Sequence, residues 1–189
     1  MQWHGLRLPV VFLAFVCGLI LAFGGQYVYK EYIFQQPLNE ILAENKLVDE
    51  FKVDNDTQIP VIKVKLANNH VSLMEAYQQL NQSVGRVMNK KPYELEFISN
   101  SDASLDQAFY ESHYVIYQAQ VAGNFPDVAA KVKQAAAKQG AEGKVFVDEN
   151  NIYIQMYKPD GHYLNKVIPR QNTLNGVTLQ GGGQIAKGN

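Results

Sequence analysis

The sequence predicts an α+β fold, with one apolar N-terminal helix followed by one domain built on a mixed sheet of about five strands, its helices mainly on one face. Three observations carry that expectation. No charged side chain falls between Arg7 and Lys30. Residues 59–97 read strand, helix, strand with short links, which implies a parallel crossover if the two strands share a sheet. Residues 144–168 hold three short strand segments separated by turn residues, the pattern of an antiparallel meander.

Residues 1–7 form a short stub. Residues 8–29 read as a transmembrane anchor. The run from Leu8 to Phe23 is apolar, and ~20 helical residues at ~1.5 Å each span a ~30 Å hydrocarbon layer. Pro9 sits in the first turn, where its missing N–H costs little. Trp3 lies before the run and Tyr27, Tyr29, Tyr32 and Phe34 lie after it, matching the aromatic belts of a spanning helix. Arg7 and the terminal amine flank one side, Lys30 and Glu31 the other. The positive-inside rule then places the N-terminus in the cytoplasm and the domain outside, as a single-pass signal-anchor of the cell membrane that meets lipid through residues 8–29. The competing reading is a cleaved signal peptide, because Ala22 and Gly24 are small residues at the spacing a signal peptidase needs. Ala14, Gly18 and Ala22 recur at i, i+4 and i+8, a small-residue stripe on which two such helices can pair as a homodimer.

The soluble domain is expected over residues 36–172. Leu38, Ile41, Leu42, Val48 and Phe51 recur at helical spacing, so 37–51 reads as an amphipathic helix. Ile62, Val64 and Leu66 alternate with Lys63 and Lys65, a half-buried strand. Ser72 and Glu75 have the spacing of a capping box. The helix behind them runs to about Met88, and Pro92 ends it. Tyr93, Leu95 and Phe97 alternate with Glu94 and Glu96, giving the second strand of the crossover.

The helix from Ser104 to about Ala122 carries two apolar stripes. Leu105, Ala108, Phe109, Ile116 and Ala119 form one. Tyr110, Tyr114, Tyr117 and Val121 form the other, which needs a second cover: a neighbouring helix or a partner protein. Pro126 opens the next helix and Gly140 follows its end. Lys144–Val147, Ile152–Tyr157 and His162–Ile168 complete the meander across Asp148–Asn151 and Pro159-Asp160-Gly161. Residues 173–189 are rich in Asn, Gly, Thr and Gln and read as a disordered tail.

Composition narrows the function classes. Seventeen Lys and Arg balance eighteen Asp and Glu for a net charge of −1, so no general field attracts nucleic acid. The single cysteine, Cys17, lies in the apolar run, leaving the domain without a disulfide, a thiolate metal site or a redox pair. His4, His70, His113 and His162 lack the spacing of metal ligands, so neither a metal nor a cofactor is expected. Ser112 and His113 beside Glu111 have the letters of a nucleophile and base, but adjacent helical positions point about 100° apart. Asn55-Asp56-Thr57 and Asn81-Gln82-Ser83 match the glycosylation sequon, a short pattern that often occurs by chance.

Tyrosine is the unusual component, with eleven in the chain. Tyr153 and Tyr157 share one strand face and Tyr163 falls opposite on the next strand. That face suits cell-wall glycan or peptide binding, or simple cross-strand packing. The leading expectation is a non-enzymatic interaction or assembly module meeting other membrane or envelope proteins, with Tyr110, Tyr114 and Tyr117 as its contact stripe. A glycan- or peptide-binding domain on Tyr153, Tyr157 and Tyr163 is the alternative, and a hydrolase follows at a distance because no paired carboxylates or triad can be placed.

Overall fold

The computed structural model describes residues 2–3, 6–30, 36–55, 57, 59–68, 71–89, 91–170, 173–174 and 177–178. The chain divides into two compact units, Met1–Glu44 and Asn45–Asn189.

The first unit holds helix α1 (Leu8–Lys30) and helix α2 (Gln36–Ala43). Gln2–Trp3 pairs with Leu6–Arg7 ahead of α1. The anchor expectation is corrected here. No helix among the described residues is long and apolar enough to cross a membrane. The signal-anchor, the single-pass topology, the cytoplasmic N-terminus and the cell-membrane location were all inferred from that crossing, and they fall with it. Ala14 and Gly18 lie on α1, whereas the side chain of Ala22 lies outside the described residues. Tyr32, Phe34, His4 and His70 also lie outside them.

The second unit opens with a strand where the sequence predicts helix. After α2, Asn45 makes a tight turn: its Oδ1 accepts the Leu47 N–H at 2.9 Å and its carbonyl accepts the Val48 N–H at 2.9 Å. This side-chain turn draws the backbone away from helix. Strand β1 (Val48–Asp54) follows and pairs antiparallel with β2 (Val61–Leu66). A bulge between Val48 and Glu50 inserts one extra residue. Val48 and Phe51 therefore stand on one sheet face although they are three apart, opposite Leu66 and Val64 respectively.

Helix α3 (Leu73–Met88) then carries the chain to β3 (Glu94–Phe97), which pairs parallel with β2. The expected crossover is therefore present. Ser72 caps α3, its Oγ accepting the Glu75 N–H at 3.5 Å, and Asn89 closes the helix in the left-handed region at φ 44°. Asp102 caps α4 (Ala103–Ala122), with Oδ1 accepting the Leu105 N–H at 2.9 Å. Gly123, at φ 74°, turns the chain into α5 (Phe125–Lys138).

Strands β4 (Glu142–Val147), β5 (Asn151–Tyr157) and β6 (Tyr163–Pro169) form the antiparallel meander in the order β4-β5-β6. Thr173–Leu174 pairs with Val177–Thr178, and the rest of the expected disordered tail lies outside the described residues.

Two features correct the expected single sheet of five strands. The described strands of this unit's core fall into two three-stranded sheets, β1-β2-β3 and β4-β5-β6. Helices also cover both faces of the second sheet, not mainly one. Ile152, Ile154 and Met156 on β5 join a buried cluster with Leu105, Ile116 and Ala119 of α4 and Val128, Val132 and Ala136 of α5. The alternate residues point the other way. Tyr153 meets Tyr77 of α3 edge-on at 5.5 Å between ring centroids, and Gln155 Nε2 donates to the Val71 carbonyl just ahead of α3 at 2.9 Å. Strand β5 is buried from Asn151 to Met156 as a result. Gly143 lets β4 press against α5: a Cβ there would stand 3.0 Å from the Val132 carbonyl oxygen and 3.0 Å from Ala136 Cβ.

Candidate functional site

The two apolar stripes of α4 have different fates. Leu105, Ala108, Ile116 and Ala119 are buried, and Phe109 packs against the same cluster. Ser112 is also buried, and its hydroxyl donates back to the Ala108 carbonyl at 2.9 Å. That bond occupies the hydroxyl within its own helix, so Ser112 and His113 form no nucleophile–base pair.

The second stripe is uncovered. Tyr110 is 62% exposed, Tyr114 76%, Tyr117 46% and Val121 92%. His113 gathers the rings. Its imidazole stacks on Tyr110 at 6.4 Å, meets Tyr114 edge-on at 5.6 Å and approaches Tyr117 at 4.6 Å between centroids. Residues three and four apart are neighbours on a helix surface, so about two turns of α4 present a continuous aromatic ridge. Burying large apolar side chains is worth about 1.5–3 kcal/mol each, and tyrosine combines that area with a polar tip and few rotatable bonds. The ridge can therefore grip a protein surface.

The tyrosines of the meander are placed differently. Tyr157 and Tyr163 stand directly opposite one another across β5 and β6, as their spacing implies. Tyr153 is fully buried and Tyr163 is 6% exposed. Helix α3 covers this face, so Tyr153 offers no ring to a sugar. Its phenol instead donates to Asp148 Oδ2 at 2.7 Å and accepts from Asn151 Nδ2 at 3.1 Å. Burial, then the adjacent carboxylate, pushes the Tyr153 hydroxyl well above its ordinary pKa. The stripe of α4 and the face of β5 and β6 do not form one site.

Asp102, Asp160 and His162 were not brought together by sequence reasoning, and their ligand atoms lie within 4.8 Å of one another. Lys158 already supplies the cation among the carboxylates. Its Nζ stands 2.6 Å from Asp102 Oδ2 and 3.2 Å from Asp160 Oδ2. Hydrogen bonds to Asp102 and then Asp160 raise the lysine's pKa, which keeps the ammonium charged. The cluster is a structural clamp joining the start of α4 to the β5–β6 turn.

A cleft of about 230 Å³ lies between β3 and β6. Leu95 and Phe97 line one wall, Val167 and Pro169 the other, and Tyr77, Asn151 and Asn165 also contribute. Asn165 is 1% exposed, and neither Oδ1 nor Nδ2 of its amide has a hydrogen-bond partner. Sequence reasoning missed this cleft, because it arises from how two sheets of separate chain segments meet.

No family model matches this chain. No curated protein and no solved structure matches it either.

Proposed function

We propose that this protein is a non-enzymatic interaction or assembly module whose contact surface is the Tyr110–His113–Tyr114–Tyr117–Val121 ridge of α4. The observation that carries the reading is the exposure of that ridge: three tyrosines and a valine between 46% and 92% accessible on one helix face. Isolated exposed apolar residues are ordinary, but a contiguous patch marks a binding surface. Tyrosine is enriched at the energetic centre of protein interfaces. The ridge also lies on a rigid support, since the opposite face of α4 is locked into the core of the β4-β5-β6 sheet.

The test is site-specific photocrosslinking. Benzoylphenylalanine at position 114 or 117 should capture a defined protein on irradiation in the native cell, while the same group at exposed Gln134 on α5 should not. Equal labelling from both helices, or none from α4, contradicts the proposal.

A further inference from the structure

The edges of β3 and β6 face each other and are joined at one end only. Tyr163 N–H donates to the Asn100 carbonyl at 3.0 Å, in an isolated antiparallel bridge. Next to it the Ser99 hydroxyl replaces a ladder rung: it accepts from Asn165 N–H at 3.0 Å and donates to the Asn165 carbonyl at 3.2 Å. Beyond that point no ladder joins Glu94–Phe97 to Lys166–Pro169 among the described residues. The two strands part like the arms of a fork, with the cleft between them.

The direction of the backbone groups follows from the bonds already made. Glu94 N–H donates to Pro60 O and Ile98 N–H to Val64 O, both toward β2. Successive peptide groups of a strand alternate sides. Leu95 and Phe97 therefore turn their N–H and C=O groups into the fork. On the other arm, Tyr163 and Asn165 point away from β5, so Val167 does too, and its N–H and C=O also enter the fork. The Pro169 carbonyl is taken by Gln120 Nε2 at 2.7 Å, which closes the far end of that arm. Open strand edges are a template for another extended chain.

Asn165 supplies the second, independent observation. A buried amide with neither atom partnered is costly, and native proteins rarely keep one without a use. A primary amide presents one donor and one acceptor side by side, the complement of a peptide group. Charge gives the occupant's character. Glu94 and Glu96 stand side by side on the exposed face of β3, and burial, then Glu96, raises the Glu94 carboxyl. Lys63, opposite Glu96 on β2, offsets part of that repulsion, and Lys166 lines the other arm. The Glu94 carboxyl stays raised all the same, so a further cation beside the pair relieves what remains.

We infer that the fork binds an extended peptide segment of another protein, bearing a basic side chain beside Glu94 and Glu96. Its main chain pairs with Leu95, Phe97 and Val167, and one of its peptide groups bonds the Asn165 amide. Glu94–Phe97 rises about 13 Å, room for about four extended residues. This site is separate from the α4 ridge, and either can fail without the other.

The full chain is panned against a displayed library of random seven-residue peptides, and enriched sequences are synthesised. The expected peptides are rich in β-branched residues with at least one Lys or Arg, and their addition slows hydrogen exchange at the amides of Leu95, Phe97 and Val167. Two variants test the geometry. Val167→Pro deletes the N–H facing the fork without touching the β5–β6 ladder, and proline is tolerated at such an edge. Asn165→Leu deletes the unpartnered amide. Each should weaken binding about tenfold, the worth of one good hydrogen bond. If Val167→Pro does not fold, Asn165→Leu carries the test alone. No enrichment, protection confined to α4, affinity untouched by Asn165→Leu, or protection that appears only through self-association of the chain would each overturn the inference.

Discussion

Tyr153 and Asp148 are joined by a 2.7 Å hydrogen bond that ties the buried face of β5 to the hairpin entering it. Asp148 Oδ1 also accepts the N–H groups of Asn150 and Asn151, each at 2.8 Å, and Oδ2 accepts Gln78 Nε2 of α3 at 3.1 Å. One carboxylate thus shapes a turn, satisfies a buried phenol and anchors a helix. Tyr153→Phe should cost about 1–2 kcal/mol, since it strips the bond to Asp148 and removes one acceptor of the Asn151 amide. Urea unfolding measures this, and an unchanged midpoint would count against the network.

Acid should loosen the Asp102 clamp. The Lys158 ammonium, the Leu105 N–H and the Ser104 hydroxyl hold the Asp102 carboxyl well below the usual carboxylate range, the lysine contributing most. A carboxyl depressed by folding stabilises the fold above its unfolded pKa of ~3.9, and that contribution is lost as pH falls through its folded value. Asp102→Asn should therefore melt below the parent protein at pH 7, and the gap should narrow below about pH 4. Thermal melts from pH 7 to pH 2 check this; a gap that stays constant into acid is the adverse result.

Gly143 should resist enlargement. Gly143→Ala puts a Cβ 3.0 Å from both the Val132 carbonyl oxygen and Ala136 Cβ. Backbone cannot swing aside as a side chain can, so β4 must lift from α5. The expected loss is about 1–3 kcal/mol, read from the denaturant midpoint. A neutral substitution would mean that the β4–α5 packing is looser than described.

Asn165→Leu should go the other way. Its amide is buried and unpartnered, so replacing it with an apolar side chain should raise stability by about 1 kcal/mol. A marked loss of stability would show that the amide supports the fold, not a ligand.

Much of the fold is legible in the sequence because its signals are local. The crossover through β2, α3 and β3 follows from two alternating runs around a capped helix, and the meander from its turns. Strand β1 is the instructive exception. Its bulge puts Val48 and Phe51 on one face at a spacing of three, which imitates a helical period and extends the pattern begun by Leu38 and Leu42. The break at Asn45 depends on a side-chain turn that a period count does not register. The membrane crossing was inferred from charge-free length, and no helix among the described residues bears it out.

The candidate site was half legible. The 100° geometry of α4 separates Tyr110, Tyr114 and Tyr117 from Leu105 and Ile116, but periodicity cannot say which stripe will be covered. The burial of Tyr153 was weighed as cross-strand packing and follows from α3 lying over β5. The fork between β3 and β6 has no local signature, because Asn100 and Tyr163 meet only once both sheets are built.

The most direct test of the interaction reading is co-purification from the native cell with Tyr114→Asp and Tyr117→Asp. Both side chains are exposed, so each variant should keep its melting point to within about 0.5 kcal/mol of stability. The account predicts one or more defined partners that accompany the parent protein in fixed ratio and are lost from both folded variants. An identical set of partners on the parent and the variants would contradict it.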